Sequence, residues 1–283
     1  MIDPALRAAL SDAFDFEEGA RGLLAVRRSA RVSLQSTGFG LDSDGAASES
    51  NLGGRNPLAE LQTGDQSFLV RRFTHGGLLR WLTGRRFLDP ERPFVEALLS
   101  EQLRARSIAT PEVIAARAVR ALAGAWRLDL VTRRVDAGRD LQAELGQRVE
   151  RRERAVLFEH FGAWLARLHA CGFLHADLHL KNVLVTRSED DQPLFWLLDL
   201  DRSALRSTLT ERERVANLAR LVRYAWRRRE RLELRRHDFA RGLRSYATTR
   251  DARRQLWRAV VARLRAGALA HRAGWWLEAR ASR

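Results

Sequence analysis

The residues most suited to chemistry are an aspartate and an asparagine in one short segment, followed by a second aspartate. Asp177 and Asn182 are separated by four residues, and Asp199 ends a short apolar run further along the chain. Phosphoryl transfer needs a carboxylate beside the attacking hydroxyl, and an asparagine plus another carboxylate to hold magnesium on nucleotide phosphates. The spacing therefore predicts Asp177 as the catalytic base, with Asn182 and Asp199 as ligands of Mg²⁺.

Three neighbouring side chains complete this predicted loop. We expect His175 to hold the loop backbone, His179 to pack beside the base, and Lys181 to neutralise charge that develops on the transferred phosphate. Aspartate and asparagine are also ordinary turn residues, which is the alternative interpretation. The histidine two residues before Asp177, the apolar run after the loop and the second aspartate at its end together favour chemistry.

The elements around the loop follow from hydrophobic periodicity and from turn residues. In the first half we predict a short helix over 3–14, strands over 23–32, 57–61, 67–73, 113–121 and 126–135, and a helix over 93–106, with 33–56 as loop. In the second half we predict an amphipathic helix over 152–171, strands over 183–186 and 194–198, and helices after 208. Ala137-Gly138 interrupts the last strand of the first half and is the predicted hinge between an N-terminal and a C-terminal lobe.

This order of elements predicts an α+β fold of two lobes, a small β-rich N-lobe with one helix and a larger helical C-lobe. The predicted division is an N-terminal extension over 1–30, an N-lobe over 31–137 and a C-lobe over 138–283. The length of 283 residues suits such a two-lobed unit.

Charge and cysteine content limit the partners and the compartment. The chain has 50 Lys and Arg against 35 Asp and Glu, a net charge of +15, which favours anionic partners such as nucleotides, phosphorylated lipids or an acidic membrane surface. The single cysteine, Cys171, excludes an intrachain disulfide. No signal-like or membrane-spanning apolar run is present, so we expect a cytoplasmic protein peripheral to a membrane. No nucleic-acid motif is visible, and no specific nucleic-acid partner is expected.

The catalytic and metal segments carry a family resemblance. The loop His175-x-Asp177-Leu178-His179-x-x-Asn182 resembles that of kinase-like phosphotransferases. The second segment, Asp199-Leu200-Asp201-Arg202, is similar to the lipopolysaccharide kinase family, in which Asp-hydrophobic-Asp-Arg replaces the Asp-Phe-Gly of protein kinases. Segments 71–78, 96–111 and 217–221 further resemble the Kdo kinase (3-deoxy-D-manno-octulosonic acid kinase) branch. The resemblance covers about residues 50–225.

The resemblance implies a protein-kinase-like fold that uses ATP and Mg²⁺. It implies phosphate transfer to a hydroxyl of Kdo attached to lipid A, at the cytoplasmic face of the inner membrane of a Gram-negative bacterium. The acceptor hydroxyl and the oligomeric state stay open.

The same resemblance implies the residues that bind nucleotide. Glu96 matches the helix glutamate that pairs with the phosphate-binding cation, and that cation is Arg71, with Arg72 as the other possibility, where protein kinases use lysine. Gly53 and Gly54 occupy the place of the short phosphate-covering turn. A solvated strand-edge arginine and a plain flexible loop are the alternatives.

One further pattern is typical of a protein that contacts a membrane surface, namely a basic run over 227–231 together with Trp257, Trp275 and Trp276. The alternative is that the tryptophans belong to the core and that the basic run is a solvated face. Other functions left open are a heptose kinase, a small-molecule or protein kinase, a nucleotide-binding pseudokinase and, least favoured, a nucleic-acid-binding protein.

Overall fold

A computed structural model describes residues 2–49, 58–64, 66–74, 86–147 and 150–281, with side chains described up to residue 266 except for residue 49. The chain divides into two compact units. The first is Met1–Asp136 with Leu200–Arg202, and the second is Ala137–Asp199 with Ser203–Arg283. The mixed helix and strand content, with a β-sheet in the first part and helices in the second, confirms the predicted α+β class.

The first unit is built on an antiparallel sheet, which has seven strands in the described residues. Its spatial order is β1-β2-β6-β7-β5-β4-β3. The strands are β1 (Phe14–Gly19), β2 (Gly22–Arg27), β3 (Ser48–Glu49), β4 (Ala59–Thr63), β5 (Gln66–Arg72), β6 (Val113–Arg120) and β7 (Trp126–Arg133). In β5, Arg71 pairs in register with Leu130 of β7, which places this predicted nucleotide-binding residue near the end of an interior strand.

Apolar side chains cover both faces of this sheet. On one face lie the helices α1 (Pro4–Leu10) and α3 (Arg92–Arg104), whose Leu10 and Phe94 are buried against strand residues such as Leu128. On the other face, the short helix α2 (Arg31–Ser36) packs through Leu34. The first unit therefore contains the helices predicted over 3–14 and 93–106 and one further short helix, α2, that was not predicted.

The second unit is mainly helical. Its helices are α4 (Leu141–Leu145), α5 (Arg151–Ala170), α6 (Glu211–Trp226), α7 (Arg236–Tyr246) and α8 (Arg250–Ala281). Its short strands are β8 (Arg139–Asp140), β9 (Phe173–Leu174), β10 (Val183–Arg187), β11 (Pro193–Leu197) and β12 (Ala204–Leu205). Helices α5 and α7 approach so closely that a Cβ on Gly162 would lie 2.0 Å from the carbonyl oxygen of Gly242, so glycine is required there.

Most of the predicted elements are confirmed within two or three residues, namely α3, α5, β4, β5, β6, β7, β10, β11 and the start of the late helices. The predicted helix α1 is also present, but it ends at Leu10, four residues before the predicted end. The predicted α5 stripe is fully buried at Leu157, Phe161, Trp164, Leu165 and Leu168. The apolar residues recur at spacings of three and four, which is the pattern that predicted this helix.

The prediction for 23–56 is wrong in two places. The strand ends at Arg27 rather than at residue 32, and the chain continues into a 3₁₀ turn and helix α2 where a strand and a loop were expected. Arg28 explains the change of direction, because its guanidinium donates to the carbonyls of Ser11 and Asp12 and to the carboxylate of Asp15.

The segment set apart as an N-terminal extension contributes elements to the first unit. Residues 14–27 supply β1 and β2, and β2 pairs with β6 inside the sheet. Strand β1 was not predicted, since its charged residues obscure the two inward phenylalanines; Phe14 is buried and Phe16 packs against the core.

Candidate active site

A hairpin brings the two predicted magnesium ligands together in the second unit. The loop after β9 ends in a 3₁₀ turn at Leu180–Asn182, and β10 then pairs with β11 so that Val183 faces Leu197. The amide of Leu198 donates to the carbonyl of Asn182 over 2.9 Å. Asn182 and Asp199 therefore lie at the same end of the hairpin, although they are distant in sequence.

His175 joins this hairpin to the loop that carries Asp177. The imidazole is buried, and its Nδ1 accepts from the Asp177 amide while Nε2 lies 3.0 Å from the carbonyl oxygen of Leu198. A backbone amide can only donate, so the ring is the neutral Nε2–H tautomer. Burial lowers the pKa of His175, which keeps this tautomer at neutral pH. These contacts are with the backbone, as the sequence predicted for this residue.

The Asp177 carboxylate is exposed at the surface of the loop, where a substrate hydroxyl can reach it. Asn182 Nδ2 donates to the Asp177 carbonyl over 3.0 Å, which fixes the loop between them. The carboxylate has two neighbours: His179 Nε2 lies 3.4 Å from Oδ2, and Arg220 Nη1 lies 3.7 Å from Oδ1. The arrangement suits a general base, and that role stays a prediction.

His179 lies beside Asp177, where the sequence placed it. Its ring stacks on Tyr224 of α6, with centroids 4.6 Å apart, and its Nδ1 accepts from the Lys181 amide. Burial lowers the pKa of His179, although the negative charges of Asp177 and Asp199 act to raise it. At neutral pH the ring is therefore uncharged, with its Nε2–H directed at the Asp177 carboxylate.

Asp199 has the backbone conformation of a specialised turn. Its φ of 56° is in the left-handed region, which aspartate and asparagine tolerate better than most residues, and its side chain is exposed. An asparagine oxygen and a carboxylate fit magnesium, because this ion takes few protein ligands and fills its shell with water and phosphate oxygens. Among the described residues no three His, Cys, Asp or Glu side chains form a metal cluster, and the binding of magnesium by Asn182 and Asp199 stays a prediction.

Lys181 is exposed in the same loop and is the only lysine in the chain. Its backbone amide is held by His179, which leaves the flexible side chain to extend from a fixed anchor. Its contact with a phosphate stays a prediction.

A buried relay of hydrogen bonds supports the loop from behind. Tyr246 Oη lies 2.8 Å from His169 Nδ1, His169 Nε2 lies 3.1 Å from Asn217 Oδ1, and Asn217 Nδ2 donates to the carbonyl of His175 over 2.6 Å. The last bond fixes Asn217 as an acceptor for His169, so every donor points the same way along the relay. Burial lowers the pKa of His169 to about 4 and raises that of Tyr246 to about 12, so both are neutral at pH 7.

In the first unit, Glu96 of α3 receives two donors. One carboxylate oxygen pairs with the Arg71 guanidinium, and the other accepts from the Leu200 amide over 3.1 Å. Arg71 also lies over the Phe73 ring, 4.4 Å from its centre. The structure thus pairs Glu96 with Arg71, whereas Arg72 pairs with Asp44. The phosphate contact of Arg71 stays a prediction.

A second ion pair holds the segment that follows Asp199. Arg92, at the start of α3, donates to both carboxylate oxygens of Asp201. The guanidinium also lies against Phe87. Sequence analysis identified Asp201 as part of a motif but gave it no partner, and it did not identify Arg92, whose partner is 109 residues away. The predicted phosphate-covering residues Gly53 and Gly54 lie outside the described residues.

The model of the lipopolysaccharide kinase (Kdo/WaaP) family matches residues 52–246, more than half of the chain. The chain belongs to the lipopolysaccharide kinase (Kdo/WaaP) family. It is accordingly a phosphotransferase that acts on a hydroxyl group, which confirms the prediction of an enzyme of this class.

Two relatives of this Kdo/WaaP family member are Kdo kinases. It is 30% identical over 174 residues to the 3-deoxy-D-manno-octulosonic acid kinase of Photobacterium damsela subsp. piscicida. The aligned region covers 60% of this chain and 69% of that enzyme. It is 31% identical over 158 residues to the enzyme of the same name from Actinobacillus succinogenes, covering 54% and 63%.

A solved structure of WaaP in complex with acyl carrier protein resembles the fold of this Kdo/WaaP family member. The TM-score is 0.57 at 18% identity, covering 87% of this chain and 98% of that one. This likeness confirms the predicted kinase-like fold.

We predict that replacing Glu96 will destabilise the first unit in two steps. Glu96→Gln keeps an acceptor for the Leu200 amide but removes the charge that faces Arg71, whereas Glu96→Ala removes both. Breaking a buried ion pair by removing one partner costs about 3 kcal/mol or more, so we expect the Ala variant to lose about that much free energy of unfolding and the Gln variant less. Gln102→Ala on the same helix is the control, and denaturant unfolding is the measurement. An Ala variant as stable as this control would contradict the role of Glu96.

We predict that His169 makes the protein less stable in mild acid. The folded state binds fewer protons at His169 than the unfolded state between about pH 6.5 and pH 4, so stability rises with pH across this window and is lost as pH falls through it. The full effect is up to about 3 kcal/mol. His169→Gln should flatten the dependence of unfolding free energy on pH, and the exposed His160→Gln on the same helix should leave it as in the wild type. Equal slopes in the wild type and in His169→Gln would refute the assignment.

Proposed function

We propose that the protein transfers the γ-phosphate of ATP to a hydroxyl of Kdo in a Kdo-lipid A acceptor. The observation that carries the proposal is the joining of Asp177, Asn182 and the Asp199 segment around the buried His175, in a chain whose relatives are Kdo kinases. The exposed base and the two oxygen ligands supply the parts that phosphoryl transfer requires.

In the proposed reaction, the sugar hydroxyl oxygen forms a bond to the γ-phosphorus and its proton passes to the Asp177 carboxylate. The bond between the γ-phosphorus and the bridging oxygen breaks, and ADP leaves with that electron pair. When bound, Mg²⁺ held by Asn182 and Asp199 would supply positive charge at the nucleotide phosphates. Lys181, anchored beside His179, would neutralise charge on the transferred phosphoryl group.

For the nucleotide we propose Arg71 as a phosphate-binding cation. Glu96 and the Phe73 ring orient its guanidinium, and arginine can donate to two phosphate oxygens at once. Its planar, branched head differs in reach from the lysine of protein kinases, so the support for this role is the ion pair with Glu96.

The decisive assay combines pure protein, ATP, magnesium and a Kdo-bearing lipid A precursor, with lipid mass as the readout. We predict a gain of one phosphate. Asp177→Ala should lower the turnover number about 10²–10⁴-fold because proton acceptance is lost, while ATP binding is kept. Asp190→Ala, an exposed aspartate in the β10–β11 turn, is the matched control.

A second variant in this assay tests the assignment of Asp199 as a metal ligand. Asp199→Asn keeps a residue that tolerates the left-handed backbone but removes the ligand charge, so magnesium-dependent ATP binding should weaken. Unchanged binding would remove Asp199 from the metal site, and near-normal turnover in Asp177→Ala would remove the base. ATP binding without transfer to the Kdo lipid would make a heptose-bearing core the next acceptor to test.

We also propose that the protein works at an anionic membrane surface, the cytoplasmic face of the inner membrane, where a Kdo-lipid A acceptor is presented. Among the described residues, no helix is both long enough and apolar enough to cross a bilayer. The support is a groove of about 870 Å³ formed by α6, α7 and α8. It combines aromatic with basic side chains, among them Trp226, Phe239, Trp257, Arg223, Arg227, Arg236 and Arg265. Such a mixture suits the headgroup region of a membrane.

We predict that the double variant Arg227→Gln/Arg236→Gln binds anionic vesicles about 30-fold more weakly than the wild type, since each basic residue near the surface contributes about 1 kcal/mol. Vesicle co-sedimentation with phosphatidylglycerol, compared with phosphatidylcholine alone, measures this. The double variant Arg151→Gln/Arg152→Gln has the same net charge and changes two exposed residues at the start of α5. Equal binding by the two double variants would refute the groove as the contact surface.

A further inference from the structure

Arg220 lies beside the predicted base in a position that contributes little to the stability of the fold. Its Nη1 is 3.7 Å from Asp177 Oδ1, and the two side chains are 50% and 63% exposed. Ion pairs with this exposure stabilise a protein by about 0–1 kcal/mol. The guanidinium is thus held near the reacting centre while it remains accessible to a ligand.

Helix α6 fixes the position of Arg220 relative to the loop. Thr210 and Glu213 form a capping box at its start, and Val215, Leu218 and Leu221 are buried. Asn217, three residues before Arg220, donates to the carbonyl of His175. Because residues three apart are neighbours on a helix surface, the bond that holds α6 to the loop also places Arg220 next to Asp177.

The surrounding charges explain why a cation is needed here. The His175 ring contacts the backbone of Asp177 and that of Leu198, which precedes Asp199, so two exposed aspartates, Asp177 and Asp199, lie in this region. A negatively charged acceptor that approached Asp177 would be repelled by these carboxylates, unless a positive group received its charge.

Arg228 adds positive charge on the far side of the His179 ring. Its guanidinium lies 3.7 Å from the centre of the Tyr224 ring, and Tyr224 stacks on His179. Arg228 is occupied by the aromatic face, whereas Arg220 presents its guanidinium directly beside the base.

We infer that Arg220 binds the carboxylate of the acceptor sugar acid while the hydroxyl of the same sugar is bonded to Asp177. With hydrogen bonds of about 2.8 Å at each end, the separation between Arg220 and Asp177 allows at most about 9 Å between carboxylate and hydroxyl, which one sugar ring spans. The planar guanidinium matches a carboxylate with two donors. The inference rests on the proposed function and deepens it, since this contact would distinguish a sugar acid from a neutral sugar.

The test compares two acceptors, the Kdo-bearing lipid A precursor and the same lipid with the Kdo carboxylate converted to its methyl ester. The wild type should lose about tenfold or more in kcat/KM on the ester, mainly through KM, because a charge-assisted contact is lost. Arg220→Gln should show a similar loss on the natural acceptor and discriminate less than twofold between acid and ester. Arg220→Lys should recover part of the discrimination, and Arg212→Gln on the same helix should behave as the wild type.

Several outcomes would overturn the inference. One is an Arg220→Gln variant that still discriminates acid from ester as the wild type does. Another is a defect that disappears when a lipid A phosphate, rather than the carboxylate, is removed from the acceptor, which would assign Arg220 to that phosphate. Binding of a fluorescent ATP analogue should be unchanged in Arg220→Gln, which separates a local effect from misfolding.

If the wild type phosphorylates neither acceptor, the proposed function fails, and binding then decides the inference. NMR titration with free Kdo and with its methyl ester should show that the wild type binds the acid more tightly and that Arg220→Gln loses this preference. Equal binding of the acid by both proteins would overturn the inference.

Discussion

The site in the second unit depends on one neutral imidazole. His175 accepts from the Asp177 amide with one nitrogen and faces the carbonyl of Leu198 with the other, so a single buried ring joins the loop of Asp177 to the segment of Asp199. A protonated ring would lose its acceptor and leave a backbone amide without a partner, which is costly in a buried position. The direction of the donors therefore matters as much as the distances.

That direction is imposed over a longer path. The amide of Asn217 can bond both His169 and the carbonyl of His175 in only one orientation, with Oδ1 toward His169 and Nδ2 toward the carbonyl. This orientation requires that His169 is protonated on Nε2 and that Tyr246 donates to its Nδ1. Polar groups this deeply buried are stable only when each has its partner. The same network holds helix α6 to the loop, so the backbone geometry of the site and the position of the helix side chains are set together.

The sequence was sufficient to predict the local pattern, the family motif and, through the resemblance, the pairing of Glu96 with Arg71. It was insufficient for other long-range ion pairs, such as that of Arg92 with Asp201. The spacing in α5 predicts its buried face, and the loop of Asp177 and Asn182 is identified by residue type alone. Hydrophobic periodicity alone does not explain why Glu96 is buried in α3 while the apolar Val95 is 39% exposed. The reason is that Arg71 and the Leu200 amide, both remote in sequence, compensate its burial. Periodicity contains no information about such partners.

The presence of a single lysine at position 181 has a practical consequence for chemical labelling. Every other basic residue in this arginine-rich chain is arginine or histidine, so the only side-chain amine is in the loop between Asp177 and Asn182, where Lys181 is exposed. Reagents that acylate amines would modify this side chain and otherwise only the terminal amino group, because guanidinium groups stay protonated and are poor nucleophiles. The protein thus carries a natural single-site handle for a spectroscopic label or an activity-directed probe, without prior removal of competing lysines.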